Sequence, residues 1–124
     1  MGTTRQLLRH EWKDYFDRFT RAHLATDGPG AATLELISPA LGDQIEASAA
    51  RLLGLTYDPK NQVFEVAMED LDHLVFRPSE IWVLEDEPGL VSTIEIVDQD
   101  GTKEILYVRA AGAAESAYDA PAPD

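Results

Sequence analysis

Residues 52–109 repeat one pattern. Short runs in which apolar and polar side chains alternate are separated by residues that turn the chain. Leu53-Gly54-Leu55-Thr56-Tyr57 is followed by Asp58-Pro59-Lys60-Asn61 and then by Val63-Phe64-Glu65-Val66-Ala67-Met68. Further on, two runs at 90–97 and 103–108 flank Asp98-Gln99-Asp100-Gly101. A period of two places one side chain in each pair on a common face, and a sheet with one apolar face must cover it. Short turns between such runs dictate antiparallel neighbours. The pattern predicts an antiparallel β-meander, extended upstream by Ala32-Thr33-Leu34-Glu35-Leu36-Ile37 and interrupted by a further strand at Ile81-Trp82-Val83-Leu84.

Ahead of these strands the period changes. Leu8, Trp12, Phe16 and Phe19 recur at helical spacing with Tyr15 beside them, while Arg9, Lys13, Asp17 and Arg21 fall on the other side. This is an amphipathic helix over about residues 8–24, started by a Thr3–Gln6 capping box or nearer His10, and ended by Asp27-Gly28-Pro29-Gly30. Its aromatic stripe needs a surface to cover, and the sheet is that surface. The expected fold is α+β: one N-terminal helix on a twisted antiparallel meander of five to six strands, curling toward a barrel. Leu34, Leu36, Leu53, Leu55, Tyr57, Phe64, Val66, Ile81, Val83, Ile94, Ile96, Ile105 and Tyr107 are its candidate sheet core, met by Trp12, Phe16 and Phe19. Residues 43–53 read either way. Asp43 and Glu46 suit a capped helix, whereas Gln44-Ile45-Glu46-Ala47-Ser48 alternates, and the strand reading is adopted here.

One domain over residues 1–109 accounts for these elements, and 124 residues suffice for a core without metals or disulfides. From Ala110 to Asp124 large apolar side chains become scarce, which predicts a disordered Ala/Pro-rich tail. With no cysteine, disulfides, thiolate metal sites and cysteine catalysis are excluded. No run approaches the length of a membrane span, and the N-terminus carries no signal-like apolar stretch, so a cytoplasmic protein is expected.

The net charge is −13, and it is unevenly spread. Residues 1–25 hold five Lys/Arg against three Asp/Glu, whereas residues 26–124 hold five against twenty. Such a surface repels nucleic acid and anionic membranes. Its plain consequence is solubility, and it also suits a cation, a basic partner protein or self-association.

Several groups of residues together, in their order along the chain, carry a resemblance. They are Glu11-Trp12, Tyr15-Phe16-Asp17, Gly42-Asp43-Gln44, the run Leu55-Thr56-Tyr57-Asp58-Pro59-Lys60, Leu71-Asp72-His73-Leu74 and Asp100-Gly101-Thr102. Over about residues 8–109 the chain is similar to a family of small bacterial proteins classed as a domain of unknown function. The resemblance implies a single-domain bacterial protein with a helix ahead of a β-rich body. It implies no activity and assigns no catalytic residue.

The most varied chemistry lies at residues 70–80. Asp70, Asp72 and Glu80 supply carboxylates, His73 an imidazole and Arg77 a guanidinium. This segment lacks a clear period, and functional groups gather on irregular segments held by a rigid sheet. It is the candidate ligand site. A cation held by Asp70, Asp72 and His73, or a His73 base supported by Asp72, are the chemistries it permits. Asp98-x-Asp100-Gly101 opens like a calcium loop, but Arg109 stands where the closing acid belongs, so it is a hairpin turn. Glu85-Asp86-Glu87-Pro88-Gly89 is an acidic turn. No serine sits in a nucleophile elbow, no glycine pattern cradles a phosphate, and no metal or cofactor site is complete. The sequence favours a non-catalytic interaction or regulatory module. A small-molecule or cation binder near Asp72 and His73 comes next, and an enzyme after it.

Overall fold

The computed structural model describes residues 2–25, 31–40, 42–69, 71–87 and 90–108. Among these there are eight strands in one antiparallel sheet and one α-helix. The strands are β1 (Thr3–Leu7), β2 (Ala31–Ser38), β3 (Gly42–Asp58), β4 (Val63–Met68), β5 (Asp72–Phe76), β6 (Glu80–Glu87), β7 (Leu90–Val97) and β8 (Lys103–Val108). A single 3-10 turn, Arg9–Glu11, leads into α1 (Trp12–Ala25). The spatial order is β1-β6-β7-β8-β2-β3-β4-β5. Two sequential meanders, β2 to β5 and β6 to β8, are thus sewn together by the β2–β8 ladder.

The α+β class holds, but five to six strands is too few. One extra strand comes from residues 3–7, where a helix start was expected: Thr3 pairs with Glu85 and Leu7 with Ile81. Thr3 and Thr4 are β-branched and favour strand weakly, and the β6 edge that Thr3–Leu7 pairs with fixes its conformation. The helix begins later, with the Glu11 carboxylate accepting the Leu8 N–H at 2.7 Å. Leu8 itself is 59% exposed. The other extra strand is β5, whose five residues are too short to show a period. Residues 43–53 are strand, part of the 17-residue β3.

β3 is long enough to serve both halves of the sheet. Its first part pairs with β2 and its last part with β4, and the register slips between Leu52 and Gly54. Two further slips in the β2–β3 ladder, on either side of Leu34, also place the extra residues in β3. Such bulges bend a strand and increase its twist. The Leu52–Gly54 slip also changes which face side chains take. Leu52 and Leu55 are both fully buried, and Leu53, expected inside, is 40% exposed. In β8 the expected phase is inverted. Leu106 and Val108 are buried, Ile105 is half-buried and Tyr107 lies outward. Leu36 is likewise only half-buried.

The apolar face is concave and α1 lies against it. Trp12, Tyr15 and Phe16 are buried, at spacings of three and one that put them on a single helix face. Trp12 meets Tyr57 edge-on at 5.0 Å, and Phe16 meets Phe64 at 4.9 Å. On the opposite side, Tyr15 donates to Glu85 of β6 at 2.6 Å, and Trp12 Nε1 donates to the Leu7 carbonyl. The helix therefore ties β3 and β4 to β1 and β6. At Gly54 it comes close enough that an added Cβ would lie 3.3 Å from Thr20 Cγ2. There the Thr20 hydroxyl accepts the Leu55 N–H at 2.9 Å and donates to the Leu55 carbonyl at 2.7 Å.

The sheet is strongly curled yet open. Only Arg77-Pro78-Ser79 separates the last strand of the spatial order, β5, from β6 near the other end. Four residue steps span at most about 14 Å, so the two ends approach each other there. No ladder joins β1 to β5 among the described residues, so no barrel forms. The predicted tail, the 26–30 helix stop and the Pro88–Gly89 tip lie outside the described residues. No helix among the described residues is long and apolar enough to cross a membrane.

Candidate functional site

The candidate segment forms the sheet edge. In β5, His73 pairs with Val66 and Val75 with Phe64, both facing the core. Asp72, Leu74 and Phe76 alternate onto the outer face. Adjacent strand residues point to opposite faces, so Asp72 and His73 cannot act on one ligand atom. Arg77 ends the strand in the left-handed region, at φ 54°, with its N–H donating to the Gln62 carbonyl. Its side chain is exposed. Pro78 is buried, and Ser79 bonds the Val97 carbonyl through both its N–H and its hydroxyl. Glu80 opens β6 on the surface and accepts Trp82 Nε1 at 3.0 Å. Asp70 lies outside the described residues. Of the four described residues, Asp72, His73, Arg77 and Glu80, no two share a partner.

His73 meets Glu104 of β8 instead, Nε2 to Oε1. Glu104 is 4% exposed, a charged side chain buried within the apolar face. It shares the inward phase of Leu106 and Val108, and an acid in an apolar phase is a signal readable from sequence. The inverted assignment of β8 concealed it. Burying a carboxylate is costly unless a hydrogen-bonded partner compensates, and the imidazole is that partner. A carboxylate-held imidazole can serve as a base when its other nitrogen faces a substrate cavity. The structure forms a cavity of about 520 Å³ elsewhere, lined by Arg9, His10, Lys13, Asp14, Tyr57, Pro59 and Gln62. Among the described residues no group of three His, Asp or Glu is placed to hold a metal ion.

The outer face of β5 has a different character. Leu74 is 42% and Phe76 61% exposed on a terminal strand. Beside them, Glu65 of β4 and Asp72 share a hydrogen bond, which together with desolvation and the Asp72 charge raises the Glu65 carboxyl above its ordinary value. Thr56 donates to Glu65 from the next strand. A pair of carboxyls therefore lies next to two exposed apolar side chains.

Residues 3–117 match the model of a family described as "Family of unknown function (DUF5335)". The chain belongs to that family. An uncharacterized protein of Aquifex aeolicus (strain VF5) is 39% identical over 109 residues, spanning 87% of this chain and 94% of the relative. The family and this bacterial relative indicate no catalytic or other specific function. No solved structure matches the chain.

Proposed function

We propose that this protein is a non-catalytic interaction module that takes up an extended, basic and apolar segment of a partner protein along β5. The observation that supports it is the pairing of exposed Leu74 and Phe76 with the Glu65–Asp72 carboxyls on the terminal strand of the sheet. The outer backbone edge of a terminal strand is a template for a further strand, and natural proteins usually guard it with charge or proline. β5 instead offers two large apolar side chains on alternate positions. An added strand would lay its own alternate side chains beside Leu74 and Phe76. The neighbouring carboxyls select the partner's chemistry: a lysine or arginine placed there relieves their repulsion, whereas an acidic segment adds to it. The overall charge of −13 favours the same partner.

The test is a titration of isotope-labelled protein with a short peptide alternating lysine and valine, followed by amide shifts and hydrogen exchange. Shifts and new protection should centre on residues 72–76, and Phe76→Lys should abolish them. A matched glutamate–valine peptide should not bind. Shifts scattered over the surface, or equal binding of both peptides, would remove the proposal.

A further inference from the structure

The cavity between the start of α1 and the β3–β4 turn plays no part in that reading. Its apolar lining comes from Tyr57, which is buried, and from Pro59, which is exposed. Its rim carries Arg9, His10 and Lys13 from one side and Gln62 from the other. Both walls make local contacts. On the helix side, the Arg9 guanidinium lies 4.7 Å over the Trp12 ring, and Lys13 bonds Asp17 at 2.8 Å. On the turn side, the Asp58 carboxylate accepts the Lys60 and Asn61 N–H groups and the Asn61 side-chain amide. Those bonds, the Asn61 side-chain amide first, lower its own pKa.

The charge of this cavity runs against the rest of the chain. Basic residues outnumber acidic ones only over residues 1–25, and two of the five basic residues there, Arg9 and Lys13, converge on one hollow with His10. Asp14 is the one acid on the rim. A volume of about 520 Å³ falls within the range of small-molecule sites. Apolar lining from Tyr57 and Pro59 beside cationic donors fits a ligand with an apolar body and an anionic head.

We propose that this cavity binds a small molecule carrying a phosphate or carboxylate on a compact apolar body, with Arg9 and Lys13 on the anion and Tyr57 and Pro59 against the body. Phenyl phosphate, benzoate, inorganic phosphate and phenol are the probes, read by amide shifts and calorimetry on the full chain. Phenyl phosphate or benzoate should shift residues 9–14 and 57–62 and saturate, the stronger of the two identifying the head group. Inorganic phosphate should bind more weakly for want of the body, and phenol for want of the charge. Arg9→Gln and Lys13→Gln should each weaken binding roughly tenfold. Asp14→Asn should tighten it. All three side chains are exposed, so an unchanged melting temperature separates loss of binding from loss of fold. Equal binding of phenol and phenyl phosphate, unchanged affinity in both cation variants, or the absence of saturable binding by either anion would overturn the proposal.

Discussion

His73 on the terminal strand β5 is hydrogen-bonded to Glu104 on β8, four strands away in the sheet order. On a flat sheet these strands would lie about 19 Å apart. The contact therefore reports how far the sheet curls, and it joins a sheet edge to the interior. Removing one partner leaves a buried group uncompensated. His73→Ala leaves the buried Glu104 carboxylate unpaired and should lower stability in urea unfolding by about 3 kcal/mol, whereas the double change to His73→Leu and Glu104→Leu should fall within about 1 kcal/mol of the parent. A single variant as stable as the parent would show that the pair does not hold the edge.

Thr20 clasps the β3 backbone where Gly54 lets the helix approach. Thr20→Val keeps the shape and leaves the Leu55 N–H and carbonyl unpaired, which should cost about 1–3 kcal/mol. Gly54→Ala should cost about 1 kcal/mol by pressing on the Thr20 methyl. Because the two changes act on one contact, their effects should not add in a double-mutant cycle. Strict additivity would place the clasp outside the energetics of the fold.

Trp12 is 1% exposed and packs against Tyr57 while bonding the Leu7 carbonyl. Trp12→Ala should cost about 3–5 kcal/mol. Phe19, only half-buried, should cost clearly less on truncation. Comparable losses at both positions in thermal and denaturant unfolding would contradict this packing.

The Glu65 carboxyl sits above its ordinary value of 4.5 because Asp72 hydrogen-bonds it, desolvation opposes its ionisation and the Asp72 charge repels it. The folded state thus holds this proton more tightly than the unfolded chain does. Its contribution is present in full below the unfolded pKa and is lost as pH rises through the folded one. Asp72→Asn should lower the Glu65 pKa, flatten this loss above pH 4.5 and raise stability at neutral pH. Carbon-detected NMR titration of Glu65 in both proteins measures the shift directly. An unchanged Glu65 titration would show that the pair does not interact.

Phenolic titration offers a separate check. Tyr107 donates to Glu35 at 2.8 Å, and desolvation, that bond and the Glu35 charge push its pKa to about 12. Stability from this group is complete below the unfolded value near 10 and vanishes as pH passes the folded one. Tyr107→Phe should remove one phenol titrating near 12 from the alkaline ultraviolet curve. Loss of a phenol titrating near 10 instead would place Tyr107 free in solvent.

Local chemistry determined much of this molecule. The Asp98–Gly101 hairpin needs only a glycine at φ 91° and an Asp98 carbonyl to close it. The Trp12–Tyr15–Phe16 face follows from helical spacing, and the β4 alternation of Phe64 and Val66 from a period of two. Those signals are carried by neighbours in sequence, so they are legible there. The remaining features depend on distant partners. Thr3–Leu7 is extended because β6 offers an edge. Leu53 faces out because a register slip in the β3–β4 ladder resets the alternation beside it. In β8 either phase offers apolar residues, and packing against the concave face selected Leu106 and Val108 while carrying Glu104 inward. The candidate segment followed the same rule. Asp72, His73 and Arg77 are near neighbours in the chain, but a strand sends consecutive side chains to opposite faces and a left-handed residue ends it at Arg77. The partner of His73 is thirty-one residues away, and only the curl of the sheet brings Glu104 to it.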